Sequence, residues 1–63
     1  MELSRTEIED RIKKCRDILA LNDELIRWIW QWQDEHSYIY SCIYYLDGID
    51  DSYEAIINEL EKI

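Results

Sequence analysis

The sequence predicts an all-α protein, a single helical domain over residues 1–63 arranged as an antiparallel set of three helices with a long one in the middle. Three observations carry this. Apolar residues recur every three or four positions along most of the chain, the spacing that builds one face of a helix. The chain has no proline and one glycine, so little in it interrupts a helix. Ser4 with Glu7, and Asp51 with Glu54, have the spacing of helix-capping boxes.

The first helix is expected over about residues 5–21. Ser4 caps it, and Leu3 and Ile8 flank the cap as a hydrophobic staple. Ile8, Ile12, Cys15 and Leu19 then form its apolar stripe. Asn22 is the expected break, capping the next helix while Asp23 and Glu24 face that helix's positive end. A helix running straight through Asn22 is the rival reading, because no Gly or Pro enforces a turn there.

The second helix is expected over about 23–47. Leu25, Ile29, Trp32, His36, Ile39, Ile43 and Leu46 follow at alternating spacings of four and three, which makes an unbroken heptad stripe. Such a rod is roughly 36 Å long at 1.5 Å per residue. Gly48 is its expected stop. The third helix, over about 52–62, presents Tyr53, Ile56, Ile57, Leu60 and Ile63 on one side. The expected core is Ile8, Ile12, Cys15, Leu19, Leu25, Ile29, Trp32, His36, Ile39, Ile43, Leu46, Ile56, Ile57 and Leu60.

Composition points to association. A domain of 63 residues buries only about 60% of its unfolded surface, so small domains lean on disulfides, a metal or a second chain. Two cysteines make no disulfide framework, and no signal peptide is evident because Glu2, Arg5 and Glu7 interrupt any apolar run. Two thiols and the single His36, far apart in sequence, make no zinc site. Self-association remains, and a homodimer completing a larger helical bundle is expected.

On the expected central helix, Ile26, Trp30, Gln33, Ser37, Tyr40 and Tyr44 lie on a second stripe, and Trp28, Glu35, Tyr38, Cys42 and Tyr45 on a third side. A helix apolar all round exceeds what two short neighbours cover. Trp28 and Trp32 are read as core. Ile26, Trp30, Tyr38, Tyr40, Tyr44 and Tyr45 are read as an interface with a second copy or a partner, because phenols and indoles keep one polar end wet where proteins meet.

The net charge of −8 lies downstream of residue 21, where Asp47, Asp50, Asp51, Glu54, Glu59 and Glu61 form an acidic steering surface. That surface disfavours nucleic acid and anionic lipid and favours a larger protein with a basic face. No stretch approaches the roughly 20 apolar residues of a membrane span.

Catalytic chemistry is barely suggested. His36 reads as a core histidine facing the start of the first helix, near Glu7, Glu9 and Asp10, rather than as a pH switch or metal ligand. Cys15 and Cys42 read as small buried apolar residues. The acidic run Asp47, Asp50, Asp51 and Glu54 lacks the spacing of a calcium loop. No catalytic, cofactor or metal residues are assigned, and the chain is expected to be no enzyme.

In size, acidity and interface-rich composition the chain resembles the small acidic proteins by which phages and other mobile elements block host machinery. The resemblance implies a cytoplasmic inhibitor or regulator of a host protein, anti-defence proteins included. A structural module that only assembles a larger complex is the second expectation.

Overall fold

The computed structural model describes residues 3–32 and 34–63, and the regular structure among them is entirely helical. Helix α1 spans Arg5–Trp30, α2 spans Ser37–Ser41 and α3 spans Ile43–Glu61. Ser4 caps α1 from an extended backbone, its Oγ accepting from the Glu7 N–H at 3.1 Å. Three ion pairs at i, i+4 then line the outside of α1: Arg5–Glu9, Asp10–Lys14 and Lys13–Asp17.

The chain folds back on itself after α1. Arg16 meets Glu61 at 2.9 Å, Asn22 reaches Leu46 and Asp50, and Trp30 lies against Tyr40. As one partner's number rises the other's falls, so α1 and α3 run antiparallel. The less exposed residues of α1 are Ile8, Ile12, Cys15, Leu19, Asn22, Ile26 and Ile29. Those of α3 are Ile43, Leu46, Asp50, Tyr53, Ile57 and Leu60. Both sets alternate spacings of three and four, so the molecule is a two-helix hairpin zipped by one heptad seam.

Three expectations are corrected. First, α1 does not stop at 21. Asn22 is buried on the seam, where its Nδ2 donates to the Leu46 carbonyl at 2.9 Å and to Asp50 Oδ1 at 2.8 Å. It lies in the middle of α1, where there is no helix start for its Oδ1 to cap, and its amide N–H groups bridge to α3 instead. Second, residues 23–47 are not one helix. The chain turns between α1 and α2, where the Trp32 carbonyl accepts from the N–H groups of Glu35 and His36. Ile29 and Ile43 are fourteen residues apart, two whole heptads, so the apolar phase survives the turn and mimics a continuous rod.

Third, Gly48 stops nothing. It sits within α3 without a positive φ, and Asp51 lies mid-helix rather than at a cap. The expected third helix is therefore the second half of α3. Helix α2 leads into α3 through Cys42, whose carbonyl accepts from both Tyr45 and Leu46, making one bent second arm.

The hairpin is long and thin, 51 × 15 × 14 Å, with a radius of gyration of 15.1 Å, where a compact chain of this length measures about 11 Å. Its buried apolar core is Ile8, Cys15, Ile29, Ile43 and Ile57. Ile12, Leu19, Trp32, Leu46 and Leu60 are half-buried, whereas Leu25, His36, Ile39 and Ile56 are exposed and not core. One two-helix seam cannot surround them.

Candidate interaction surface

The closed end of the hairpin is aromatic because two aromatic-rich stretches, 28–32 and 38–45, flank the turn. Trp28 packs at a tilt on Trp32 at 6.0 Å, and Trp32 on His36 at 5.7 Å. Trp30 meets Tyr40 edge-on at 5.1 Å, and Tyr44 meets Tyr45 edge-on at 6.0 Å. Such offset contacts stack a ring's positive edge on its neighbour's negative face. The Trp32 indole N–H is buried and has no hydrogen-bond partner among the described residues.

Of the residues read as an interface, Tyr38, Tyr44 and Tyr45 are the most open, at 88%, 81% and 71% exposure. Trp30 is exposed and Tyr40 half-buried. Ile26 lies elsewhere: its phase puts it on the seam toward α3, half-buried.

The acidic residues divide in three. Tyr44, Asp47, Asp51, Glu54, Asn58 and Glu61 are all exposed and spaced 3-4-3-4-3, forming a stripe down the outside of α3 with the tyrosine at its head. Asp50 instead turns into the seam toward Asn22. Glu59 pairs with Lys62 at 3.0 Å. Asp50 also lies near Asp23, and like-charge repulsion from it, with some burial and a shared hydrogen bond, raises the Asp23 carboxyl above its ordinary value. Asp10 is lowered, chiefly by the hydrogen bond from Lys14.

On the side away from the acidic stripe the hairpin carries apolar residues that sequence reasoning did not assemble. Ile18, Leu21, Leu25 and Trp28 follow at 3-4-3 along α1, and Ile49 and Ile56 sit one heptad apart on α3. Ile18, Leu21 and Leu25 with Asn22, Ile49 and Tyr53 line an open groove of about 410 Å³. The signal was present, but its 3-4-3 rhythm runs through Asn22 and is legible only when the helix does too.

Cys15 is buried, while Cys42 is exposed and donates its thiol to the Tyr38 carbonyl at 3.5 Å, so only Cys15 is a buried apolar residue. Among the described residues no three His, Cys, Asp or Glu side chains group as metal ligands do. Among the described residues no helix is long and apolar enough to cross a membrane. Comparison with protein-family models, with curated proteins and with solved structures finds no match.

Proposed function

We propose that this chain is a non-enzymatic regulator or inhibitor that binds a larger protein bearing a basic surface. The observation that carries the reading is the continuity of the open Tyr44 with the acidic stripe: it stands more than four-fifths exposed at the head of the run Asp47, Asp51 and Glu54. Aromatic anchors supply affinity on desolvation, and a single-signed stripe supplies steering and orientation. Such a molecule acts by occupying its target.

Immobilised chain tests this in lysate of a plausible host. Tyr44→Ala should weaken capture of a specific protein by about thirtyfold, the equivalent of roughly 2 kcal/mol for a central aromatic anchor. Rising salt should weaken it further as steering is screened. Equal capture by wild type and variant at all salt concentrations rejects the reading.

The open apolar side favours a second reading, a structural module that only brings subunits together. Apolar assembly persists at high salt, which separates the two.

A further inference from the structure

We infer that the apolar side of the hairpin, centred on Leu21, Leu25 and Ile49, is the docking face for a second copy of this chain, and that two hairpins close into a four-helix bundle. The inference deepens the association-based reading above, yet it uses the opposite side of the molecule and stands or falls separately from it.

Periodicity supplies the first support. Each helix carries a second heptad register beside the one that zips the hairpin. On α1 it runs Ile18, Leu21, Leu25, Trp28, and on α3 Tyr45, Ile49 and Ile56, with Ser52 between the isoleucines and Glu59, paired to Lys62, beyond them. Adjacent apolar registers on one helix are what a bundle helix needs to touch two neighbours at once. Leu21 is 66% exposed, Trp28 50% and Leu25 45%, so the second register is open where the first is closed.

Area supplies the second. A folded monomer of 7.8 kDa exposes about 4,400 Å², whereas this hairpin exposes 5346 Å². The surplus is close to the roughly 800 Å² that each partner buries in a standard-size interface. One second copy is thus enough to give this chain the exposed surface of an ordinary globular protein.

Charge layout supplies the third. A dimer of chains at −8 must hold its acids apart. Here the stripe Asp47, Asp51, Glu54 and Glu61 points away from the apolar side, which puts two helix layers, about 20 Å, between the stripes of the two copies. That is more than twice the roughly 8 Å screening length at physiological salt. The same α1 register continues at its other end through Lys14, which pairs with Asp10 at 2.9 Å, Arg11 and Glu7, so the only carboxylate on it lies at its far end. A two-fold axis between Leu21 and Leu25 sets Lys14 of each copy beside Trp32 of the other, an attractive cation–ring pairing.

Sedimentation equilibrium over a wide concentration range reads the mass directly. Wild type should reach twice the 7.8 kDa chain mass. Leu21→Lys should raise the dimer dissociation constant at least about tenfold, because it drives a charge into the apolar contact. Tyr44→Ala, on the far side, should leave it unchanged. Thermal melting of wild type followed by helical circular dichroism gives a readout independent of any variant: the midpoint should climb with protein concentration. A wild type that stays monomeric with a concentration-independent midpoint overturns the inference and assigns the face to a different protein. So does a dimer that Leu21→Lys leaves intact. Loss of dimerisation in Leu21→Lys with partner capture retained would uphold this inference and keep the two surfaces distinct.

Discussion

Two polar interruptions of the apolar pattern, Asn22 and the run from Gln31 to His36, have opposite fates in this molecule. At Asn22 the helix continues, and at 31–36 the chain reverses. The difference is in the partners available. Asn22 is one polar residue at a seam position, and the opposing helix offers it a carbonyl and a carboxylate within 2.9 Å. The run after Gln31 has several consecutive polar residues, and its acids Asp34 and Glu35 stand beyond the negative C-terminal end of α1, where carboxylates disfavour further helix. A polar residue that finds its bonds across the seam fixes register; a polar run whose side chains Gln31, Asp34, Glu35 and His36 make no hydrogen bond among the described residues becomes a turn.

Removing the seam on the turn side should have the largest effect. Ile29 is 3% exposed in the last turn of α1, and Ile29→Ala should cost about 2–5 kcal/mol in denaturant unfolding through the cavity it leaves. The two interruptions can then be compared directly. Asn22→Ala strips Asp50 of a donor inside the seam and should cost about 1–3 kcal/mol, whereas Asp34→Ala in the exposed turn should stay within about 0.5 kcal/mol. Equal effects at the two sites would contradict the distinction drawn between them.

Gly48 tests the same point from the other arm. It lies inside a helix on the outer surface, and a methyl group added there meets nothing within 4 Å. Gly48→Ala should therefore stabilise by about 0.5–1 kcal/mol in the same assay, where a glycine that ended a helix would show destabilisation.

The smallest effect is the pH dependence of the Asp23–Asp50 pair. A carboxyl whose folded value is raised holds its proton more tightly in the folded state. Its contribution to stability is full below the unfolded value and is lost as pH rises through the raised one. Asp10, lowered by Lys14, works the other way: its contribution is present above the ordinary value and lost as pH falls through the lowered one. Asp23→Asn should remove the first loss, so the variant gains on wild type as pH climbs above the ordinary aspartate range. A pH profile parallel to that of wild type would show that Asp23 and Asp50 do not repel in the fold.

Much of the local structure was legible because local chemistry sets it. The helical class followed from spacing and from the lack of proline, and the Ser4 cap from its side chain, whose hydroxyl accepts from the Glu7 N–H. What could not be read was which helices join and where the chain folds back. Periodicity carries phase but not direction, and the fourteen residues from Ile29 to Ile43 preserve phase through a reversal. Asn22 was ambiguous for a similar reason: the same amide that caps a helix start bridges a seam, and only the position of Asp50 and Leu46 decides between them. The misplacement of His36, Ile39 and Leu25 in the core follows directly from the rod reading. The apolar side of the hairpin is illegible for the same reason, since its register crosses Asn22, where the sequence suggests a break.

Backbone carbon chemical shifts in solution test the central claim most directly, because they report helix residue by residue whatever the oligomeric state. The hairpin predicts unbroken helical shifts from Ala20 through Leu25 and their loss between Gln31 and His36, with helix resuming to run through Gly48. Helical shifts continuing across 31–36, paired with a break at Asn22, would contradict it and restore the single central rod.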